Sequence, residues 1–383
     1  MTLFFLSRGL NLFQVGICLS IYSGMILLFE LPTGGLADQI GRKTVYLISK
    51  FISICGVSLF LLLSDTKGIM FVAFGLMGIA RSLSSGTIDA WFVDRFKDIS
   101  PKGDLQKAFA KVGVWIPMGL ALGTLVGGGL PMISSRLGWE RYTLNLLLML
   151  IAYLWVAIYT IIWIDESGQQ FDKRLLNSFQ NLPQVLSDAF QYGFRHQTVL
   201  LLMAATLFWG IGVVAIESFW QPQVKWILGS EEQSWIFGLL STGYFAASAL
   251  GNTLITPICR LFRNRYALVL VVFRITMGFS FFFLAYQTNI WGFAFFYLFL
   301  FLQNGLLNSP HQSLFHGLIP SEKRSTLISL ESLFMSIGGM ASGIGTGWMA
   351  DNLSIPFAWQ IAGLLFGGSS LCYLWFMRIE KKP

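Results

Sequence analysis

Glu217 stands in a stretch, 198–223, that holds no other charged residue. A carboxylate among apolar side chains is costly while charged, and taking up a proton removes that cost, which is the chemistry of a proton carrier. It equally fits a structural partner for an arginine. Arg81, in Gly78-Ile79-Ala80-Arg81-Ser82, and Arg274 lie deep in apolar runs of their own, and Asp89 lies in Ser85-Gly86-Thr87-Ile88-Asp89-Ala90-Trp91-Phe92-Val93-Asp94. These are the candidates for cavity charges. On the run that carries Glu217, Trp209, Trp220 and Gln221 form an aromatic-and-amide set suited to an apolar or weakly charged solute, although Trp near the end of such a run also marks a membrane interface. Gln303 and Asn304, followed by Asn308 and His311 at helical spacing, supply a second polar set. Glu30, Lys50 and Glu331 fall within about two turns of run ends, where long side chains reach water. His311 and His316 lie between Pro310 and Pro320 and are expected in a loop.

The elements that must position these groups are long apolar helices. Of 383 residues, 55% are hydrophobic and only 12% charged, with a mean hydropathy of +0.65. That is far from the roughly 25% charge of a soluble domain. The apolar residues come in blocks of about 20, the length a helix needs to cross about 30 Å of hydrocarbon. Spans are predicted at 10–31, 45–64, 70–92, 112–133, 143–164, 198–223, 234–258, 266–286, 290–307, 326–349 and 355–377, eleven in all. The fold class is therefore an all-α polytopic membrane protein. Between the fifth and sixth spans, 165–197 is polar, with a helical apolar stripe suited to the membrane face.

Several function classes are excluded or left without support. There is no G-x4-G-K-[ST] phosphate loop for an ATP-driven pump. The three His have no HExxH or Cys/His arrangement, so neither an enzyme nor a metal site is implied, and no cofactor is expected. The four Cys lack metal or disulfide-framework spacing. The net charge of +7 does not call for nucleic acid, because Lys and Arg concentrate in loops on one side. Eighteen fall on that side and five on the other, which by the positive-inside rule makes the linker and the C-terminus cytoplasmic. Arg8 is then external, and Met1 to Ser7 are too few to span, so most of one preceding helix is expected to be missing. A shift of about 220 residues maps Gly119, Gly123 and Gly127 onto Gly339, Gly343 and Gly347. This predicts two parallel six-helix bundles, 1–164 and 198–383, joined by the linker.

The decapeptide Gly34-Gly35-Leu36-Ala37-Asp38-Gln39-Ile40-Gly41-Arg42-Lys43 follows the first complete span. It resembles the G-x-L-A-D-R-x-G-R-K signature of the major facilitator superfamily, with Gln39 where the family usually has a basic residue. Span number, linker and repeat extend the resemblance over essentially the whole chain. It implies a secondary transporter working by alternating access on a small molecule, a monomer in the plasma membrane driven by a proton gradient. The decapeptide is read as a loop that latches helices in the outward-facing state, with Gly34, Asp38, Gly41, Arg42 and Lys43 as the motif and Asp94 as a partner for Arg42. Gly119-x3-Gly123-Thr124-x2-Gly127-Gly128 resembles the family's antiporter motif, with Thr124 in place of Pro and Ala110 in place of a Gly, and implies efflux. Ordinary helix packing through small residues accounts for the same glycines. The resemblance places Arg81 and Glu217 on cavity-lining helices, with Arg81 setting the proton affinity of Glu217. Uptake by the same machinery, and a non-transporting sensor built on such a bundle, are the alternatives.

Overall fold

An apolar run in lipid can satisfy its backbone N–H and C=O groups without water by closing each onto its own chain as a helix. In the computed structural model the described residues are 1–63, 66–85, 87–100, 105–165, 195–230, 232–319 and 324–380; the description does not extend to the side chains of 31–39, 90, 94, 105–111, 113, 114, 324–326, 329 and 380. Every regular element among them is a helix. In order these are α1 (Thr2–Ser7), α2 (Leu12–Ile40), α3 (Arg42–Leu62), α4 (Lys67–Ser84), α5 (Thr87–Ile99), α6 (Leu105–Arg136) and α7 (Thr143–Trp163), then α8 (Gln197–Leu228), α9 (Trp235–Leu261), α10 (Tyr266–Ala285), α11 (Ile290–Leu318), α12 (Arg324–Asn352), α13 (Ile355–Gly368) and α14 (Ser370–Glu380).

All eleven predicted spans fall on these helices. Among the described residues nine stretches are both long and apolar enough to cross a membrane, the third made by α4 with α5 and the last by α13 with α14. The other two predicted spans are α9 and α12, of 27 and 29 residues. At 1.5 Å per residue both exceed 30 Å. Their Ser, Thr, Gly and Asn content lowers their hydropathy, as expected of helices that face protein more than lipid.

The decapeptide predicted as a loop is helical instead. Helix α2 continues to Ile40 and α3 begins at Arg42, so the only break is Gly41, at φ 94°. Leu36, Ala37 and Gln39 are good helix formers, and Gly41 supplies a positive φ that side chains resist. Lys43 then projects from the first turn of α3 and donates from Nζ to the Ile161 carbonyl in the last turn of α7 at 2.9 Å. A cation on the negative end of a helix ties the two together. The side chains of Asp38 and Asp94, and the linker stretch 166–194, lie outside the description.

The chain divides into two compact units. One comprises Met1–Ser20, Leu120–Gly129 and Leu186–Pro383; the other comprises Ile21–Gly119 and Leu130–Val185. In the second, α3 packs on α4 and α7, and Lys50 sits 4.3 Å above the Tyr46 ring and 5.7 Å from that of Tyr153. In the first, helices approach through glycines. Gly251 of α9 meets Gly305 of α11, and Gly278 of α10 meets Gly363 and Gly367 of α13. Gly16 of α2 meets Gly343 and Gly347 of α12, while Gly238 of α9 meets Gly128 of α6. These last two crossings are offset by 222 residues (Gly16 to Gly238) and 219 residues (Gly128 to Gly347), close to the shift read from the sequence, but on α6 the contact is made by Gly128 and not by the aligned Gly123. Within the glycine motif, Gly128 makes the close contact, whereas a methyl on Gly119 or Gly123 would meet no described atom within 4 Å. Helix α1 docks on α8, with Leu3, Phe4 and Phe5 buried and the Thr2 hydroxyl donating to the Ser218 carbonyl at 2.8 Å.

Candidate functional site

A cavity of about 240 Å3 opens among α8, α10, α11 and α12 of the first unit. Helical spacing aims its lining: Asn308, His311 and Gln312 share one face of α11, and Ile328, Glu331, Ser332 and Met335 share one face of α12. Thr206 and Trp209 come from α8 and Arg274 from α10. Apolar Leu307, Ile328 and Met335 alternate with these polar groups, a lining typical of small-molecule sites.

Its buried wall is a hydrogen-bonded chain. Arg274, only 2% exposed, donates from Nη1 to the Ala205 carbonyl at 2.8 Å and to Ser369 Oγ at 2.7 Å. Its Nη2 donates to the Tyr373 hydroxyl at 3.2 Å, and its guanidinium lies 4.8 Å from the Phe366 ring centroid. Tyr373 lies 2.7 Å from His311 Nδ1, and His311 Nε2 lies 2.7 Å from Glu331 Oε1. Thr206 Oγ1 stands 3.2 Å from Glu331 Oε1, and Gln312 donates to Oε2 at 3.4 Å. A guanidinium and a carboxyl group are thus buried in one unit with a phenol and an imidazole between them. Such burial is costly unless every charge finds partners. The Arg274 Nε is a buried donor without one among the described residues.

Of the residues singled out in the sequence, Arg274 and Trp209 line this cavity, and Asn304 joins it by accepting from Trp209 Nε1 at 2.8 Å. Gln303 turns away, buried, to donate to Ser280 Oγ at 2.7 Å. Trp220 is buried against the Phe237 and Tyr297 rings, and Gln221 is half-buried. Glu217 is exposed on its helix and accepts from the Tyr244 hydroxyl at 3.0 Å. Arg81 and Asp89 are exposed in the other unit, where Arg81 is near enough to Tyr22, Lys50 and Tyr153 to act on them electrostatically.

Two residues set aside in the sequence prove central. His311 is not in a loop, because α11 runs through Pro310 to Leu318. Proline removes one N–H and strains one turn, which packed neighbours tolerate inside a bundle. Glu331 does not run out past the helix end; it turns inward to the cavity wall, is 6% exposed and is bound to His311. The readable signal was the polar periodicity of Asn304, Asn308 and His311, which called for a wet or protein-buried face. Tyr373 and Thr206 gave no signal. Among the described residues no cluster of His, Cys, Asp and Glu could hold a metal.

The comparisons agree with this architecture. The sequence is 24% identical over 256 residues to YxaM of Bacillus subtilis (strain 168), an MFS-type transporter, covering 65% of this chain and 59% of that one. It is 27% identical over 133 residues to a transporter of Buchnera aphidicola subsp. Schizaphis graminum (strain Sg), covering 34% and 31%. The matched stretches thus span less than two thirds of these curated relatives. The fold is shared with the nucleoside transporter NupG at a TM-score of 0.73 and 16% identity, covering 100% of this chain and 94% of that one. A structure of a proton dependent oligopeptide transporter matches at a TM-score of 0.71 and 13% identity, with the same coverage. The sequence profile of the Major Facilitator Superfamily matches residues 1–230 and 224–383, end to end, and the chain belongs to that superfamily.

Proposed function

We propose that the chain carries a small solute across the plasma membrane by alternating access and exports it in exchange for protons. The observation that carries this reading is the 240 Å3 cavity within a multi-pass helical unit, lined by amide, aromatic and ionisable side chains. Family membership and the nucleoside and peptide carriers that share the fold support a small polar or weakly charged solute. The proton-dependent neighbour and the carboxylate within α8 support proton coupling. The glycine motif of α6 supports the outward direction. The excess of Lys and Arg in alternate loops supports a cytoplasmic C-terminus, and the chain acts as a monomer.

In this reading Glu217, paired with Tyr244, takes a proton from outside and releases it inside, and the change of charge biases the bundle between its two states. Glu217→Gln in proteoliposomes should abolish solute accumulation driven by an imposed pH gradient and leave solute exchange, which moves no net proton, largely intact. Uphill transport in Glu217→Gln with unchanged pH dependence would make Glu217 structural.

A further inference from the structure

The geometry points to a second proton-binding site, in which Glu331 is the acceptor and the Arg274–Tyr373–His311 chain holds it charged and empty until a proton arrives from the cavity. This deepens the proton-coupled reading and rests on it for the link to transport.

Counting hydrogens orients the chain. Tyr373 accepts from Arg274 Nη2, and the remaining described acceptor for its own hydrogen is His311 Nδ1. An unprotonated Nδ1 leaves the hydrogen of a neutral imidazole on Nε2, which donates to Glu331 Oε1. Every donor therefore runs one way, from Arg274 through Tyr373 and His311 to Glu331. The Glu331 oxygens face His311 and Gln312 as donors, the environment of an ionised carboxylate, and the Thr206 hydroxyl lies 3.2 Å from Oε1 with its one hydrogen shared between that oxygen and the Leu202 carbonyl. The charge of Arg274 is balanced by that carboxylate across two neutral groups.

The groups around Glu331 come from four helices, and α13, which also packs on α12, brings no titratable side chain. Helix α8 gives neutral Thr206, α10 gives Arg274, α11 gives His311 and α14 gives Tyr373, with Cys372 beside it. Gln312 is half-buried and lines the cavity, and the oxygen that it meets is Oε2. A proton adding to Oε2 forms one O–H bond and breaks none within the protein. That O–H needs an acceptor, and a half-turn of the Gln312 amide presents Oε1 in place of Nε2. The site then carries one net positive charge, on Arg274, whose Nε still has no partner among the described residues. Proton binding thus changes both the charge of the cavity wall and the amide group it shows to a solute.

Infrared difference spectra of the purified full chain between acid and alkaline buffers test this without any solute. A protonated-carboxyl stretching band should appear in the wild type, lose one component in Glu331→Gln and keep that component in Glu217→Gln. His311→Gln leaves Glu331 in place but changes its hydrogen bond, and should move the band. A Glu331→Gln spectrum that superimposes on the wild type overturns the inference. Should Glu331→Gln fail to fold, an unmoved band in His311→Gln overturns it equally. Loss of the component in Glu331→Gln, with no proton movement driven by any solute in wild-type proteoliposomes, keeps this site and removes the transport reading.

Discussion

Replacing Gly251 by Ala places a methyl group where two helices touch backbone to backbone. The added carbon would stand 3.1 Å from the Gly305 Cα on α11 and nearer still to the Leu302 carbonyl oxygen. A methyl on Gly305 would in turn stand 3.1 Å from the Asn252 nitrogen of α9, so neither side can rotate out of the way. The helices have to separate, and overpacking of this kind costs about 1–3 kcal/mol. The better helix propensity of Ala returns about 1 kcal/mol, leaving a net loss of up to about 2 kcal/mol. Gly123→Ala is the control. No described atom lies within 4 Å of its methyl, so the same substitution should gain up to about 1 kcal/mol. Unfolding of both purified variants in one detergent reads the difference. Equal loss of stability in the two would refute the argument that helix approach, and not glycine content, sets the cost.

Three further substitutions probe the site and its supports. Trp209→Phe keeps the ring but removes the donor to Asn304, and should cost about 0.6–1.7 kcal/mol in the same unfolding assay, the range for hydrogen bonds between membrane helices; no loss would mean that this bond is not formed in the bilayer. Gln303→Met discards one hydrogen bond to Ser280 together with a buried Oε1 that has no partner, so the net loss should stay below about 1 kcal/mol, and a loss above about 3 kcal/mol would show an acceptor role for that oxygen. Lys43→Met removes the cation from the end of α7 and should cost about 0.3–1 kcal/mol, with the loss shrinking at high salt; a salt-independent loss would indicate packing of the Lys stem instead.

The helices were legible because lipid leaves the backbone few choices, and a block of 20 apolar residues says so directly. The repeat was legible only in part: Gly343 and Gly347 recur because Gly16 packs against them, whereas on α6 the crossing is made by Gly128 and the aligned Gly123 faces open space. The break at Gly41 was visible as a glycine, but its neighbours read as loop when they are helix, since Gly34 and Gly35 carry weak helix propensity that the surrounding residues override. The buried chain was legible only in part. Arg274 is conspicuous as a charge in an apolar run. Glu331 and His311 sit near helix ends in the sequence, and only the three-dimensional arrangement turns them inward and brings α14 with Tyr373 onto them. One-dimensional distance from a span end cannot tell a side chain that reaches water from one that meets a partner across the bundle.

Proteoliposomes containing the purified chain and a trapped pH dye, challenged in turn with a panel of small neutral and weakly charged solutes, test the central claim most directly. Solute movement and proton movement are followed in the same vesicles. At least one solute should drive protons in the opposite direction to its own flux, and a proton ionophore should abolish its uphill accumulation. Solute flux that proceeds unchanged with the ionophore present, or no proton movement with any solute while the protein is folded, would contradict proton-coupled export.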